Sequence, residues 1–286
     1  MIVVSGANGQ LGRAIVEHLA AAGGTSGLGV SVRDTAKAEA LAKQGIRVRH
    51  GDFDAPASLA ESFAGAHTLV LVSTDGGREQ RIGQHANAIA AAKAAGVRRI
   101  VYTSFLDAAG DSPAEFAAVH HQTEADLRTS GLELAILRNT LYADHLPMTV
   151  GGALASGVFH LPAGQGKFSL LSRNELAAAA AAAARADKLD KEIYQLTGSA
   201  LYDYDDVAAA LQQASAKPAR YERVSEDDYA AALANYGVPA GLARALANMF
   251  TAVAQGRFAI LSEDYARLTG RAPASLQQYV NQFVAA

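Results

Sequence analysis

The chain has 286 residues, of which 50% are hydrophobic and 19% charged, a profile typical of a soluble globular protein with one large domain or two small ones. Its net charge of −3 gives no reason to expect nucleic acid or an anionic membrane surface as a partner. The absence of cysteine excludes disulfides, a thiolate nucleophile and cysteine-ligated zinc, and it fits a reducing cytoplasm.

The N-terminal segment MIVVSGANGQ lacks the basic region, the long apolar run and the cleavage site of a signal peptide, so we expect a cytoplasmic protein. The most apolar long run, Leu176–Ala184, is mostly alanine and too short to span a bilayer. Ser172 and Glu175 precede it with the spacing of a capping box. These features predict a tightly packed buried helix and no membrane partner.

Strand-like and helix-like segments alternate through the first half of the chain. The predicted strands are Ile2–Ser5, Leu28–Val32, Ile46–Arg49, Thr68–Val72, Arg99–Thr103 and Leu132–Leu137. Between them lie helical patterns, first around Leu11, Ile15 and Leu19 and then at Thr35–Lys43, Ala57–Ala64, Gln80–Ala95 and Ala114–Ser130. Six repeats of this alternation predict an α/β fold, a Rossmann-type doubly wound parallel sheet, within a dinucleotide-binding domain of residues 1–150.

The second half, residues 151–286, predicts a smaller and mainly helical cap domain. Its predicted helices, the first of which starts just before the boundary, are Ala143–Ala155, Asn174–Ala186, Asp205–Ala214, Glu226–Tyr236, Leu242–Gln255 and Leu276–Val284. Two short strands are predicted at Glu192–Leu196 and Arg220–Val224, and residues 172–198 are expected to return to the sheet. In open α/β sheets ligands bind at the carboxyl ends of the strands, so the cap is expected to form the second wall of a cleft there.

A glycine-rich loop, G-A-N-G-Q-L-G, follows the first strand and opens the first helix, which is the context of a dinucleotide fingerprint. Glycine lets the backbone approach a pyrophosphate closely, and the helix N-terminus offers unpaired N–H groups to it. A plain strand-to-helix turn is the alternative. The predicted cofactor contacts in this loop are Gly6, Asn8, Gly9, Gln10, Leu11 and Gly12.

The second strand ends in VSVRDTAK, which bears on the choice between NAD and NADP. Arg33 stands at the strand end and Lys37 one helical turn later, and a guanidinium can pair with the 2′-phosphate of NADP. The pattern therefore favours NADPH. Asp34 is the competing feature, since a carboxylate there would repel the phosphate or accept a ribose hydroxyl.

Polar residues at the other strand ends extend the predicted cleft. Asp52 and Phe53 follow the third strand and are candidates for contacting the adenine, with an ordinary turn as the alternative. Ser73 ends the fourth strand and Ser104 the fifth, where the nicotinamide is expected. Arg138, at the end of the sixth strand, is a further candidate cofactor contact.

Several stretches taken together resemble the NmrA-like family of atypical short-chain dehydrogenases, whose members include reductases of quinones, reductases of cationic triphenylmethane dyes and non-catalytic redox sensors. The matching stretches are GANGQLG (6–12), VR (32–33), GDFD (51–54), AAKAAGVRRIVYTS (91–104), HHQTE (120–124), LRNTLY (137–142) and SRNELA (172–177). The resemblance implies a Rossmann fold, NADP(H) as cofactor, and a quinone-like or dye-like small molecule as substrate. It leaves the oligomeric state open, with a homodimer as one option.

The resemblance also implies that LRNTLY lines the cleft around the nicotinamide, which makes Asn139 and Tyr142 candidate catalytic and cofactor-binding residues. A packing role for the aromatic ring of Tyr142 is the alternative. Arg173 of SRNELA lies either near this cleft or in an exposed first helical turn.

Classical short-chain dehydrogenases carry Tyr-x-x-x-Lys on the helix after the fifth strand, and no tyrosine of this chain has lysine four residues later. Here that helix carries HHQTE, preceded by a predicted capping box from Ser112 to Glu115. His120 and Glu124 take the tyrosine and lysine spacing, whereas His121 is expected to face outward. His120 is either a residue of the substrate pocket or a core histidine hydrogen-bonded to Glu124 or the backbone.

Phe116, His120, Thr123 and Leu127 share one face of this predicted helix, and the face is expected to meet the sheet and the cleft. No metal site is predicted, because two ligands four residues apart need a third, and the sequence has no HExxH motif.

The missing tyrosine and lysine pair bears on the chemistry. Reduction of a simple ketone forms an alkoxide that must be protonated, whereas a quinone yields a weakly basic anion and a cationic dye needs no proton. The sequence therefore predicts an NADPH-dependent oxidoreductase that passes hydride to an electron-poor acceptor without a flavin. A dye reductase and a non-catalytic NADP(H)-binding sensor are the alternatives.

Overall fold

The computed structural model describes residues 1–285. Its central sheet has seven parallel strands in the order β10-β6-β5-β4-β1-β2-β3. These strands are β1 (Ile2–Ser5), β2 (Leu28–Val32), β3 (Arg47–His50), β4 (Thr68–Leu71), β5 (Arg99–Phe105), β6 (Glu133–Asn139) and β10 (Ile193–Leu196). The predicted doubly wound parallel sheet is confirmed, and a segment from the second half of the chain forms its edge strand.

Helices cover both faces of this sheet. They are α1 (Gln10–Gly23), α2 (Glu39–Lys43), α3 (Pro56–Phe63), α4 (Arg78–Ala94), α5 (Glu115–Thr129) and α8 (Arg173–Arg185). Alternate residues of a strand point to opposite faces, so Val4 packs in the core beneath α1 and α8, whereas Val3 packs with Leu59 and Ile89 on the opposite face. The alternation of strands and helices in the sequence therefore corresponds to a hydrophobic core on each face of the sheet.

The alanine run forms the predicted buried helix. The Ser172 hydroxyl accepts a hydrogen bond from the Glu175 amide, and the Glu175 carboxylate accepts one from the Ser172 amide, which completes the predicted capping box. Leu176 and the alanines at 177, 179, 180 and 183 are at most 1% exposed. Small side chains on this face let α8 pack closely against α1.

The cap consists of short elements and two small sheets, in which β7 pairs with β9 and β8 with β11. Its strands are β7 (Leu141–Tyr142), β8 (Val158–Leu161), β9 (Leu170–Leu171) and β11 (Arg220–Arg223). Its helices are α6 (Leu146–Val150), α7 (Ala153–Ser156), α9 (Tyr204–Ser215), α10 (Glu226–Asn235), α11 (Ala240–Ala254), α12 (Asp264–Thr269) and α13 (Leu276–Val284). Within residues 1–285, no helix is both long enough and apolar enough to cross a bilayer. The domain boundary near residue 150 stays a prediction.

Three local predictions are wrong. The helix predicted at Ala143–Ala155 is instead a 3-10 turn followed by α6 and α7, because Gly151 and Gly152 separate the two. The helix predicted at Thr35–Lys43 is a 3-10 turn followed by α2. No side chain caps α5: the Ser112 hydroxyl accepts from the Ala114 amide and bonds to Asp107, and the helix begins only at Glu115.

Candidate active site

A continuous cleft of about 1060 Å³ runs along the carboxyl ends of the sheet strands. Residues that follow β1 to β6 form one wall, and the cap forms the other. The strands β2 and β3 are added on one side of β1, and β4 to β6 on the other side. The strand order therefore reverses between β1 and β4, and such a topological switch point opens a crevice for a ligand. The fold therefore supplies the binding surface where the sequence predicted it.

Of the predicted site residues, all but Arg138 line this cleft. They are Gly6, Asn8, Gly9, Gln10, Leu11, Gly12, Arg33, Lys37, Asp52, Phe53, Ser73, Ser104, His120, Asn139 and Tyr142. The guanidinium of Arg138 instead holds the carboxylate of Glu124, with an Nη2 to Oε2 distance of 2.6 Å. A contact between Arg138 and the cofactor stays a prediction, and in this structure the guanidinium is engaged by a buried carboxylate.

The glycine loop is shaped for close backbone contact. Gly6 has φ +64°, a left-handed conformation that glycine adopts without strain. Gly9 is the N-cap of α1 and supplies no side-chain cap, so the first amides of the helix stay available to a ligand. A Cβ on Gly12 would lie 2.4 Å from the Gly6 carbonyl oxygen, so glycine is required there for steric reasons.

The end of the cleft where the adenine is predicted to bind carries exposed positive charge. Arg33 and Lys37 line it, and both are exposed. The carboxylate of Asp34 accepts a hydrogen bond from the Ala36 amide at 3.1 Å and lies 3.7 Å from the Lys37 ammonium. Asp34 is thus engaged by its own turn, whereas Arg33 forms no ion pair within residues 1–285.

Six buried polar side-chain atoms have no hydrogen-bond partner among residues 1–285, and four of them belong to residues that line the cleft. These four atoms are Asn8 Oδ1, Arg81 Nε, Gln84 Oε1 and Asn139 Oδ1. Unpaired buried polar groups are costly and few in native proteins. Their concentration along one cleft fits a large polar ligand that supplies the missing hydrogen bonds, as a dinucleotide would.

At the opposite end, Asn139 and Tyr142 act as a pair. The Asn139 amide donates to the Tyr142 hydroxyl oxygen at 3.1 Å, which leaves the phenolic hydrogen free for another acceptor. The Tyr142 ring stacks on His145 with the centroids 5.5 Å apart, and the Arg173 guanidinium lies 5.6 Å from its centroid. Burial raises the pKa of Tyr142, so its hydroxyl keeps its proton at neutral pH.

The face predicted on α5 does meet the sheet, but its partners differ from those expected. His120 is 6% exposed, and its Nδ1 lies 2.8 Å from the hydroxyl of Tyr102 on β5. Glu124 does not contact His120: its carboxylate accepts from Ser104 at 2.7 Å and from Arg138. The alternative in which His120 bonds to Glu124 is therefore wrong, because His120 meets Tyr102 on β5, whereas Glu124 bridges β5 and β6. His121 is exposed, as predicted.

Sequence reasoning missed Arg81 and His85 on α4. Arg81 is 8% exposed and donates to Ser73 Oγ at 2.9 Å, whereas His85 Nδ1 lies 2.8 Å from Thr123 Oγ1. The signal was present in REQRIGQHANA: Arg81, His85 and Ala88 recur at spacings of 4 and 3 residues and share one helical face. Among residues 1–285, no cluster of three metal-ligating side chains occurs.

The two buried histidines predict an acid-sensitive fold. Burial lowers the pKa of His85 to about 3 and that of His120 well below 6.5. The unfolded chain binds protons at these sites as the pH falls through about 6.5, whereas the folded chain does not. Stability present above pH 6.5 is therefore lost on acidification, by about 1.4 kcal/mol per pH unit from His85, and His120 acts in the same direction.

Urea unfolding between pH 4 and about 6 measures this loss. His85→Gln should flatten the pH dependence of the unfolding free energy by about 1.4 kcal/mol per pH unit. His121→Gln is the matched control, because the exposed His121 side chain should leave that slope unchanged. If the unfolding free energy had the same pH dependence in both variants and the unsubstituted protein, the lowered pKa of His85 would be contradicted.

Comparison with known proteins agrees with this geometry. The sequence profile of the NmrA-like family matches residues 1–267. The chain belongs to the NmrA-like family. It is 38% identical over 281 residues to quinone oxidoreductase 2 of Escherichia coli strain K12, an alignment that covers 98% of each protein. The family membership predicted from the motifs is confirmed.

Solved structures of this family superpose on the chain over almost its whole length. The NADPH-dependent quinone oxidoreductase of E. coli, complexed with NADPH, matches with a TM-score of 0.94 and 38% identity, covering 99% of each chain. The triphenylmethane reductase of Citrobacter sp., complexed with NADP(H), matches with a TM-score of 0.92 and 35% identity, also covering 99% of each chain.

Proposed function

We propose that this NmrA-like protein is an NADPH-dependent oxidoreductase that transfers hydride to a quinone-like acceptor without a flavin. The observation that carries the proposal is the continuity of the cleft, which runs from the cationic pair Arg33 and Lys37, past the glycine loop, to Asn139 and Tyr142. Relatives of this chain are a quinone oxidoreductase and a triphenylmethane reductase, each solved with NADPH or NADP(H).

In this proposal different residues bind different parts of the cofactor. The loop from Gly6 to Gly12 binds the pyrophosphate, and Arg33 with Lys37 binds the 2′-phosphate. Asp52 and Phe53 border the adenine. Ser73, Asn139 and Tyr142 border the nicotinamide, where bound NADPH would supply the hydride.

The cap side of the cleft suits a flat apolar acceptor. Apolar side chains from both domains line it there, namely Phe105, Phe116, Leu141, Met148, Leu246 and Met249. Thioether and aromatic groups make adaptable contacts with aromatic rings. A site of this kind orients an acceptor and keeps water from the transferred hydride, and the phenolic hydrogen of Tyr142 is available to a carbonyl oxygen.

The test mixes the protein with NADPH and a small quinone and follows the loss of NADPH absorbance. We expect oxidation well above the uncatalysed rate with one or more quinones. Reduction of a triphenylmethane dye alone would favour the dye-reductase alternative. No turnover with any of these acceptors, together with tight NADP(H) binding, would overturn the proposal in favour of a redox sensor.

Arg33→Ala tests the assignment of the 2′-phosphate. A charge-assisted hydrogen bond contributes about 1.5–3 kcal/mol, so the dissociation constant for NADPH should rise about 10- to 100-fold. The constant for NADH should stay within about twofold, because NADH lacks the phosphate. Titration of both cofactors, with Lys43→Ala as a control outside the cleft, measures the difference. Equal loss for NADPH and NADH would refute the role.

A further inference from the structure

Arg81 is a buried cation without a buried anion. It lies in the first turns of α4, is 8% exposed and lines the cleft. Its Nη2 donates to Ser73 Oγ at 2.9 Å and lies 3.4 Å from His120 Nε2. Its Nε is buried and has no hydrogen-bond partner, and no carboxylate among residues 1–285 lies within salt-bridge distance of it.

Arg99, the other buried arginine among residues 1–285, is paired with a carboxylate and so is the half-buried Arg138, whereas the half-buried Arg47 donates to backbone carbonyl oxygens. Arg99, which is 3% exposed, forms two hydrogen bonds to Glu133 at 2.9 and 3.0 Å. Arg138 forms two to Glu124. An isolated buried charge costs several kcal/mol, so an arginine left unpaired beside a cleft points to an anion that arrives with the ligand.

None of the groups described around Arg81 neutralises its positive charge, so the guanidinium can still bind an anion from the cleft. His120 lies against it with a pKa held well below 6.5 by burial, so this histidine is neutral. Since its Nε2 faces a guanidinium donor, the ring proton is on Nδ1 and is donated to Tyr102. His85 is neutral as well, and Asp75 lines the same cleft beyond salt-bridge distance. His120 thus acts as a positioning residue for Arg81.

The place of Arg81 along the cleft separates it from the 2′-phosphate. Arg33 follows β2, and the glycine loop follows β1. Arg81 contacts Ser73, just past β4, and His120, which packs on β5. In the strand order β5-β4-β1-β2, Arg81 therefore lies on the opposite side of the glycine loop from Arg33 and toward Asn139 and Tyr142.

We propose that Arg81 is a catalytic residue that binds the oxyanion formed on the acceptor during hydride transfer. This inference rests on the proposed quinone reduction. The C–H bond of NADPH breaks, its two electrons and its hydrogen pass to the quinone, and NADP⁺ remains. A carbonyl of the quinone becomes a phenolate oxygen, which receives hydrogen bonds from the guanidinium until water supplies the second proton. Donors aimed at a developing oxyanion stabilise the transition state more than the substrate.

The proposal separates two kinds of acceptor. A quinone develops negative charge on oxygen, whereas a triphenylmethane cation that accepts hydride becomes neutral and forms no oxyanion. Loss of Arg81 should therefore impair quinone reduction selectively. Removal of an unpaired buried charge is also not expected to destabilise the fold, which makes the substitution Arg81→Met a usable test.

We would compare Arg81→Met, Arg81→Lys and the control Arg78→Met, whose side chain is 63% exposed on the same helix. Arg81→Met should lower kcat for quinone reduction about 10²- to 10³-fold, with dye reduction and the NADPH dissociation constant within about threefold of the unsubstituted protein. Arg81→Lys should recover part of the loss, and Arg78→Met should have no effect.

A binding measurement makes the result independent of turnover. The complex with NADP⁺ is titrated with 4-nitrophenolate, which mimics the anionic product, and with neutral 4-nitroanisole. Arg81→Met should weaken phenolate binding about tenfold or more and leave anisole binding unchanged. Unchanged phenolate binding, or an equal loss of NADPH affinity, would overturn the role of Arg81. A protein that binds phenolate through Arg81 but turns over no acceptor would refute the proposed function alone.

Discussion

Glu124→Ala is expected to destabilise the protein by about 3–5 kcal/mol, the usual cost of removing one partner of a buried ion pair. The Glu124 side chain is 2% exposed. Its two oxygens accept hydrogen bonds from Ser104 at 2.7 Å, from Arg138 at 2.9 and 2.6 Å and from Arg128 at 3.1 Å. Alanine would leave the Arg138 guanidinium without its counter-ion and the Ser104 hydroxyl without its acceptor.

Urea unfolding at pH 7 measures this loss, and Arg128→Ala is the matched control. The Arg128 side chain is 41% exposed, so removing this outer arm should cost at most about 1 kcal/mol. The destabilisation by Glu124→Gln should lie between those of Glu124→Ala and Arg128→Ala, because the NH2 group of glutamine would face a guanidinium donor. A cost below about 1 kcal/mol for Glu124→Ala would show that the carboxylate is not the centre of this network.

Gly12→Ala is expected to abolish tight cofactor binding, with a rise in the NADPH dissociation constant of at least about 100-fold, and to destabilise the fold by about 3 kcal/mol. The added Cβ would lie 2.4 Å from the Gly6 oxygen and 2.8 Å from its carbonyl carbon. These are backbone atoms, so the strain is relieved only if the loop moves away from α1. That movement would displace the amides to which we assign the binding of the pyrophosphate.

The same substitution elsewhere supplies the control. Gly83 lies within α4, and a Cβ there would meet nothing within 4 Å. Gly83→Ala should therefore stabilise the protein by up to about 1 kcal/mol through helix propensity. Thermal unfolding and NADPH titration of both variants measure the contrast. Normal cofactor affinity for Gly12→Ala would contradict the requirement for glycine.

Local patterns predicted the sheet well because each strand and its following helix leave a short, repeated signature. Prediction failed where a short range of sequence held two competing signals. The segment Ala143–Ala155 has helical apolar spacing, yet Gly151 and Gly152 divide it. In the cap, β7, β8 and β9 have between two and four residues each, too few for a periodic pattern.

The sequence by itself determined the doubly wound sheet, the glycine loop and the cationic end of the cleft, since each follows from residues that are neighbours along the chain. Only the tertiary structure decided the pairings inside the candidate active site. Helical spacing indicated that HHQTE presents His120 inward and His121 outward, but not which strand each side chain meets. His120 contacts Tyr102 and Arg81, and Glu124 contacts Arg138. These contacts form because α4 and α5 pack on the sheet and bring together residues that are far apart in the sequence.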